Sequence, residues 1–598
     1  RHCIRNRSPR CTQSHAAKKG QVTATQNVAT SSKELRGKQK FIANFMTEDE
    51  EEEVPPPQPP PPPPPPPPEN DDCKATPKRG GRRHGQSCFT VNTTDCVGKS
   101  SKDLFSYVAA SLGWKELDLP SSKSQQPSIF CVMQSADLLK RLPLSPGSWI
   151  SRYLAAPDVC DKGNFARMLR TAQDLCSDGY FSFSPQTWIL PEELQEFRAV
   201  LEKSKSTFIV KPEDGSQGDG IFLVRGLRNF DAKISAHPKA VVQKYISKPL
   251  LLGGLKFDMR MYVLVAGGSM GECPPLIQLC REGLARFCTE TYEEPNQKNM
   301  HHCMGHLTNY SLNKRSNKFE HCGQSMEEVF GDENTSSKRP LTVCLRQLAE
   351  EYSDFDIEAF YNDVQVIAQR SLAVMAPVLL SRTRSEDFLD VGRQSFQIFG
   401  FDIMLDQKYK AFLLEVNNSP SLCVDEALPV DAQHEPGKLG SKNRERDKLC
   451  RCMDMAQVHW HQTSLVDLET KSAMMQGAFQ ALEQLHQGVE PAVENYIPVP
   501  FDHELWPLLA RLEAVYSRSG AKSFTSTGLR RIFEPLCGDK LQKHDLDILA
   551  NRYRTTNFAA HDKAAGPDAL RFFDFLDLSS RICQRAFSNE AGSGCGFQ

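Results

Sequence analysis

The chain has 598 residues, of which 39% are hydrophobic and 24% charged, so it can build a sizeable core and more than one domain. Its formal net charge of -2 argues against a globally basic nucleic-acid binder. Among its 20 cysteines there is no CxxC pair, and we find no hydrophobic signal segment and no uninterrupted apolar run of about 18 residues. We therefore expect reduced thiols, no membrane span and no nucleic-acid partner.

Residues 1–87 have the composition of a disordered tail. Positions 1–40 carry ten Lys and Arg residues against one acid, and an acidic run at Glu48–Glu53 and a proline tract from Pro55 to Pro68 follow. Such segments bury too little apolar surface to offset the entropy of ordering, and proline runs adopt extended polyproline II. We predict a solvated tail; the alternative is a docking arm for an acidic or SH3-like partner.

The rest of the chain alternates strand and helix patterns and predicts a mixed α/β (α+β) fold. We expect an N-terminal α/β subdomain at 88–205, strand-rich subdomains at 206–425 and a helical accessory region at 426–598. Helices near the C-terminus resemble a degenerate EF-hand, but no segment supplies the ligands of a calcium loop. The polar, Asn- and Ser-rich stretch at about 314–340 is predicted to be a mobile loop.

The stretch "TFIVKPEDGSQGDGIFLV" (Thr207–Val224) places a glycine-rich turn between two apolar strands. It is neither a Walker loop nor a dinucleotide fingerprint, because a strand follows where those motifs have a helix. A glycine-rich hairpin can fold its backbone N–H groups over a polyphosphate, with Lys211 at its root as a point charge. An ordinary tight turn is the alternative.

The next two strands add polar groups. In "AVVQKYISKPL" (Ala240–Leu250), main-chain groups and the Gln243 amide could meet a purine edge. In "LKFDMRMYVLV", Lys256, Asp258 and Arg260 share one strand face, because alternate side chains of a strand point the same way. Buried unpaired charges are costly, so these three must face water, one another or a charged ligand. A solvated strand face is the alternative to a ligand site.

The stretch "FQIFGFDIMLDQKYKAFLLEVNNSPSL" (Phe396–Leu422) predicts two apolar strands joined by the turn "DQKY". With the turn centred in the middle of those four residues, Asp402 would lie opposite Leu413 and diagonal to Glu415, and Asn417 would follow on the same face. Hard oxygen ligands of this kind suit Mg²⁺ shared with substrate phosphates. Two unrelated buried acids are the alternative.

In this order, the motifs predict an ATP site built from strands. Together with "REGLARFCTETY" and "HLTNYSLNK", they resemble the tubulin tyrosine ligase-like family of ATP-grasp amino-acid ligases over about Phe89–Leu422, and its polyglutamylase branch in particular. The resemblance implies an ATP-grasp fold that holds the nucleotide between two strand-rich subdomains.

The resemblance also implies an activity. A monomer that requires ATP and Mg²⁺ would add free L-glutamate to glutamate residues in the acidic C-terminal tails of tubulin, through an acyl phosphate. It implies a cytoplasmic, cytoskeletal location, cilia and basal bodies included. The alternatives are a glycine or tyrosine ligase of the same fold and a catalytically silent microtubule-binding protein.

Residue by residue, the resemblance implies the following roles. The ATP phosphates would be held by Lys211, Gly215, Ser216, Gln217, Gly218 and Gly220, the adenine by Gln243, Lys244, Tyr245 and Ile246, and the rest of the nucleotide by Lys256, Asp258 and Asn309. Arg260 and Arg286 would contact the γ-phosphate and the amino-acid carboxylate and, with Lys256, form the catalytic set. Asp402, Glu415 and Asn417 would hold magnesium.

Overall fold

The computed structural model describes residues 89–94, 96, 99–117, 128–131, 147–213, 220–235, 237–269, 273–381, 391–429, 450–451, 458–518, 575–577 and 579. The predicted tail at 1–87, the glycine-rich loop at 214–219 and most of the EF-hand-like segments lie outside these residues. The chain divides into two compact units, and every element considered below belongs to the unit formed by Pro67–Arg518 and Thr555–Phe575.

The strands are β1 Thr90–Asn92, β2 Lys115–Leu117, β3 Ser128–Phe130, β4 Trp149–Ile150, β5 Thr187–Leu190, β6 Phe208–Pro212, β7 Phe222–Val224, β8 Ala240–Lys244, β9 Leu251–Leu252, β10 Leu255–Ala266, β11 Leu276–Thr291, β12 Lys338–Pro340, β13 Phe396–Leu405, β14 Ala411–Asn417, β15 Asp425–Pro429, β16 Cys450–Arg451, β17 Val458–Thr463 and β18 Tyr496–Pro498. The helices are α1 Lys99–Ser111, α2 Ala156–Val159, α3 Lys162–Gln173, α4 Leu194–Lys203, α5 Leu227–Ile234, α6 Cys303–His306, α7 Tyr310–Asn313, α8 Met326–Phe330, α9 Leu341–Glu351, α10 Ile357–Ser381, α11 Leu465–His486 and α12 Leu505–Arg518.

These strands form four sheets within the described residues. A parallel sheet has the order β2-β1-β3-β4, and an antiparallel sheet, which contains the glycine-rich hairpin, has the order β5-β8-β6-β7. The central sheet is antiparallel, with the order β12-β11-β10-β13-β14, β9 added to β10 and β18 added to β11. A three-stranded sheet has the order β15-β17-β16. The predicted mixed fold and both predicted hairpins, β6–β7 and β13–β14, are confirmed.

One face of the central sheet changes character along β10. Asp258 and Arg260 are followed on the same face by Tyr262, Leu264 and Ala266, which belong to an apolar core shared with β1, α1 and α11. The apolar half of this face is thus covered by the N-terminal sheet and α11. The charged half lies outside that core and forms the candidate site.

The opposite face of the central sheet is covered by α10. Val265 of β10 lines a small apolar cavity together with Leu372 and Ala376 of this helix. The segment Ile357–Leu380 is long and apolar enough to cross a membrane, contrary to the expectation from sequence, but 72% of its most apolar window is buried inside the fold. That burial is typical of a core helix.

Two local expectations were wrong. The region after Ser421, expected to be helical, begins with the three strands β15–β17 before α11 starts. The stretch at 314–340, expected to be a mobile loop, contains α8 and β12. A capping box at Ser325 and Glu328 starts α8, and Asn334 is buried where it donates to Val329 O at 2.7 Å. Local side-chain hydrogen bonds therefore order a segment whose polarity indicated a loop.

Helix α11 contributes directly to the main core. Phe479 is fully buried and stacks on Trp114 and Phe105, with ring centroids 5.1 and 6.1 Å apart. The helix thus packs on residues 365 and 374 positions earlier in the chain, before the central sheet begins.

We expect Phe479→Ala to lower the free energy of unfolding by about 3–5 kcal/mol, because it removes a large buried ring and leaves a cavity. Denaturant unfolding followed by circular dichroism measures the change. Val489→Ala is the control, since Val489 is 54% exposed. Equal midpoints for the two variants would contradict the core position of α11.

Candidate active site

The site is built on cross-strand pairs of the central sheet. In one row, Arg260 of β10 pairs with Asp402 of β13, which pairs with Glu415 of β14. In the neighbouring row, Asp258 of β10 pairs with Arg286 of β11. Directly paired residues lie on the same face of a sheet, so these five charges share one surface.

Asp402 is the acceptor on which both arginines converge. Arg260 donates through Nε to Oδ1 and through Nη2 to Oδ2 at 3.1 Å, and Arg286 Nη2 lies 2.9 Å from Oδ2. Burial alone would raise the pKa of Asp402, but the two guanidinium groups override it and hold the pKa below its ordinary value. Asp402 is therefore ionised at neutral pH.

Asp258 orients Arg286 from the other side. Its Oδ1 accepts from Arg286 Nε at 2.6 Å, and its Oδ2 accepts from Arg286 Nη2 at 2.8 Å and from Thr308 Oγ1 at 2.6 Å. The carboxylate that the sequence assigned to nucleotide contact is thus engaged by protein groups. Within the described residues, the Nη1 atoms of Arg260 and Arg286 have no protein acceptor, so each guanidinium keeps a donor edge for a ligand.

Gly400 makes room for this arrangement. It pairs with Tyr262 on β10, and a Cβ at this position would lie 2.9 Å from Arg260 Cδ and 3.1 Å from Pro420 Cβ. Because that approach is too close for any side chain, a glycine is required where Arg260 crosses towards Asp402.

Lys256 lies in an aromatic cage beside the two rows. Its amine donates to Tyr245 Oη at 2.8 Å and to His306 O at 2.7 Å, and it lies 4.3 Å from the centre of the Tyr245 ring. Burial lowers the pKa of Lys256 to about 8. The amine is therefore still mostly protonated at neutral pH, and an anionic ligand would favour its charged form further.

Lys211 joins the antiparallel sheet of the glycine-rich hairpin to the central sheet. Its amine donates to Gln243 Oε1 at 3.1 Å and to Leu414 O at 3.3 Å, and Gln243 Nε2 donates to Thr187 Oγ1 at 3.2 Å. The amide that the sequence offered to a purine edge is thus held by a lysine and a threonine. Lys211 is placed by these contacts at the root of the hairpin, next to the carbonyl that precedes Glu415.

The register of the β13–β14 hairpin differs from the predicted one. Asp402 pairs with Glu415 directly, whereas we expected it to lie opposite Leu413, which pairs with Ile403. The turn is centred on Lys408, half a position later than the middle of "DQKY", which moves each cross-strand partner by one residue. A bulge at Leu414 moves the partner of Asp402 by one residue more. The two acids are therefore closer neighbours than the diagonal pair predicted from sequence.

The three predicted magnesium ligands converge. Asn417 Nδ2 lies 3.5 Å from Asp402 Oδ2 and 3.4 Å from Glu415 Oε1. Glu415 makes no other hydrogen bond to the described residues, which makes it the less committed of the two carboxylates. In this part of the chain no three His, Cys, Asp or Glu side chains come together, so Mg²⁺ held here would take further ligands from substrate phosphates and water. The chemistry of the donor set fits that ion.

The remaining predicted residues have the following positions. Gly215, Ser216, Gln217 and Gly218 lie outside the described residues, and Gly220 follows them with a φ of +71°. Lys244 is exposed, Ile246 is half-buried, and Tyr245 is buried with its hydroxyl on His306 O. Asn309 precedes α7 and its side chain makes no hydrogen bond to the described residues.

Lys162 is a charged neighbour of Lys211 that sequence reasoning missed. It is the first residue of α3, after the N-cap Asp161, whose carboxylate accepts from Asn164 N at 2.9 Å. Burial lowers the pKa of Lys211, and the positive charge of Lys162 lowers it further, so Lys162 is within electrostatic range of Lys211. A lysine at a helix start is common, and only the folded arrangement distinguishes this one.

Comparison with known proteins decides the family. The sequence profile of the tubulin-tyrosine ligase family matches residues 153–434, which include every predicted site residue. The matched region, residues 153–434, belongs to the tubulin-tyrosine ligase family. Tubulin polyglutamylase TTLL11 of Mus musculus is 31% identical over 470 residues, which are 74% of this chain and 58% of that protein. Tubulin polyglutamylase TTLL11 of Homo sapiens is 37% identical over 289 residues, which are 46% and 38% of the two chains.

A third relative is the probable beta-tubulin polyglutamylase of Tetrahymena thermophila. It is 37% identical over 320 residues, which are 52% of this chain and 24% of that protein. The chain spans between about a quarter and three fifths of the length of these three relatives. The family predicted from the order of the motifs is confirmed.

For this ligase-family domain we expect a pH dependence of stability that originates at Lys256. Its pKa is about 8 in the folded state against an ordinary value of 10.5, so between these values the unfolded chain binds more protons and the fold gains stability as the pH rises. From pH 7.5 to 9.5 this gain is roughly 2 kcal/mol.

Lys256→Met removes the titrating amine, so the difference in unfolding free energy between wild type and variant should change by that amount over the same pH range. Lys298→Met, at an exposed lysine, is the control. A constant difference between wild type and Lys256→Met would contradict the assigned pKa.

Proposed function

We propose that this protein is an ATP-dependent ligase that attaches L-glutamate to glutamate residues in the acidic tails of tubulin. The observation that carries the proposal is the row Arg260–Asp402–Glu415 with Arg286 beside it, in which two guanidinium groups keep spare donors next to two carboxylates. The names of the relatives, which are tubulin polyglutamylases, support the same substrate and amino acid.

The architecture we propose is an ATP-grasp fold. ATP would lie between the antiparallel sheet of the glycine-rich hairpin and the central sheet, where Lys211 already bridges the two. The loop Gly215–Gly220 would cover the phosphates, and Lys162, Lys211 and Lys256 would surround them with positive charge. Gln243, Lys244, Tyr245 and Ile246 at the end of β8 would border the adenine, and Asp258 and Asn309 would complete the nucleotide site. The subdomains would be 88–205 and 206–425, with 426–598 as an accessory region.

The reaction proceeds in two displacements. A carboxylate oxygen of the acceptor glutamate attacks the γ-phosphorus of ATP, and ADP leaves with the electrons of the broken P–O bond, which gives an acyl phosphate. The amine of free glutamate then attacks the acyl carbon, phosphate leaves, and the amine loses a proton. No enzyme nucleophile is required.

The protein contributes position and charge. Nη1 of Arg260 would bind the transferring phosphoryl group and Nη1 of Arg286 the α-carboxylate of the incoming glutamate, while Asp402 holds both guanidinium groups in place. Asp402, Glu415 and Asn417 would hold Mg²⁺, which when bound offsets the negative charge of the phosphates. An enzyme of this kind would act at microtubules in the cytoplasm, cilia and basal bodies included, as a monomer.

The amino-acid substrate is tested directly. We expect the purified full chain, with ATP, Mg²⁺ and microtubules, to incorporate radiolabelled glutamate and neither glycine nor tyrosine. Omission of ATP or addition of a chelator should stop the labelling. Labelling by glycine alone or tyrosine alone would contradict the proposal and indicate a glycine or tyrosine ligase. Microtubule binding without any labelling would indicate a catalytically silent microtubule-binding protein.

The metal site is tested by Glu415→Gln. We expect glutamate incorporation to fall by about 100-fold or more, because the less committed of the two carboxylates loses its charge, while the unfolding midpoint stays near wild type. Glu290→Gln on β11 is the control, since that side chain is 38% exposed and its ion-pair partner is Lys318, which is outside the proposed site. Unchanged turnover in Glu415→Gln would show that the β13–β14 hairpin does not hold the metal.

A further inference from the structure

A lysine that no motif assigned lies next to Arg286. Lys338 of β12 pairs with Arg286 across the edge of the central sheet, so the two side chains are on the same face. The sheet order therefore places Glu415, Asp402, Arg260 and Asp258 on one side of Arg286 and Lys338 on the other.

Lys338 is buried and charged. Its amine is paired with Asp467 of α11 and lies 4.3 Å from the centre of the Tyr310 ring. Tyr310 directly follows Asn309 in the sequence. Burial alone would lower the pKa of Lys338, but Asp467 overrides that effect and raises the pKa above its ordinary value. Within the described residues Asp467 is the one acceptor of this amine, so N–H donors remain for a ligand.

The carboxylates near Lys338 are each shared with a second partner. Asp467 is shared with Lys471, whose amine lies 2.8 Å from Oδ1, and it also accepts from Ser464 Oγ at 2.7 Å. The next acid, Glu426, is within electrostatic reach of Lys338 and is paired with His321 at 3.1 Å. One carboxylate thus orients two lysines, and Lys338 is the one on the substrate face of the sheet.

The direction of the amino acid follows from the sheet order. The proposed phosphate and metal groups are on β10, β13 and β14, so the amine of the incoming amino acid must point that way from Arg286. Its side chain then points towards β12, one strand spacing of about 4.8 Å away. A side chain of two methylenes and a carboxyl can cover that distance, whereas glycine has no side chain and a tyrosine phenol offers no negative charge.

We propose that Lys338 binds the side-chain carboxylate of the amino-acid substrate and so selects glutamate. This inference rests on the proposed function, and it adds a residue that determines amino-acid specificity. Asp467 is the positioning residue that holds the Lys338 amine in place.

Equilibrium binding of radiolabelled L-glutamate to the full chain, with Mg²⁺ and a non-hydrolysable ATP analogue, tests the inference. Unlabelled L-glutamate, L-glutamine and glycine compete. We expect wild type to prefer glutamate over the isosteric glutamine by about tenfold or more, the value of one charge-assisted hydrogen bond. Equal affinities in wild type would overturn the inference without any variant.

Two variants of Lys338 test whether this residue causes the preference for glutamate over glutamine. Lys338→Gln, which can still bond to Asp467, should lose the preference for glutamate over glutamine while the affinity for the ATP analogue stays unchanged, and Lys338→Arg should keep most of the preference. Lys314→Met is the matched control. Lys314 is exposed, and its amine lies 5.6 Å from the centre of the same Tyr310 ring.

The outcomes separate the two proposals. If wild type attaches glutamate to tubulin but Lys338→Gln retains the wild-type preference, the role of Lys338 is wrong and the proposed function stands. If wild type attaches only glycine or tyrosine, the proposed function itself fails. A glutamate preference that Lys338→Gln loses and Lys314→Met keeps supports both.

Discussion

The buried carboxylate of Asp402 is the group on which the site depends. A lone ionised carboxylate in the interior is costly, and here two guanidinium groups compensate it. Because Arg260 and Arg286 come from adjacent strands, the same contact holds β10, β11 and β13 in one register. If Asp402 were removed, two buried cations would be left without their shared partner, so its substitution is expected to affect fold and function together.

This constraint also determines what is available to a ligand. Each arginine uses Nε and Nη2 on aspartates and keeps Nη1, so the site presents two oriented donors on a rigid sheet. Glu415 and Asn417 at the next strand are only weakly engaged, at 3.4 Å from each other. A preorganised cationic edge beside uncommitted oxygen ligands is the arrangement that phosphoryl transfer requires, since it lowers the reorganisation needed when charge develops.

Helix α11, near the end of the described chain, packs on the same sheet face as the site. Helix α11 begins beyond the family match at 153–434, yet Phe479 completes the core under the apolar half of the sheet and Asp467 reaches Lys338 at its edge. One end of this helix therefore contacts Lys338 at the edge of the charged half, and the other end packs on the apolar half of the same sheet face. Packing and site geometry are thus coupled through one element.

Much of this was accessible from sequence. The glycine-rich hairpin, the strand with Lys256, Asp258 and Arg260, and the hairpin with Glu415 follow from local periodicity, because alternation along a strand is a property of neighbouring residues. The order of the motifs was enough to recognise the family. What local pattern could not supply was the partner of each charge, and the prediction that Asp402 faces Leu413 failed for that reason.

The sequence by itself determined which residue types lie on each strand face and in which order the chemical groups appear. The tertiary structure alone decided the register at the Leu414 bulge, the pairing of Asp258 with Arg286, and the contact of Lys338 with Asp467 across 129 positions. The physical reason is that face alternation is set by the backbone of one strand, whereas register and long-range ion pairs depend on how separate strands and helices pack.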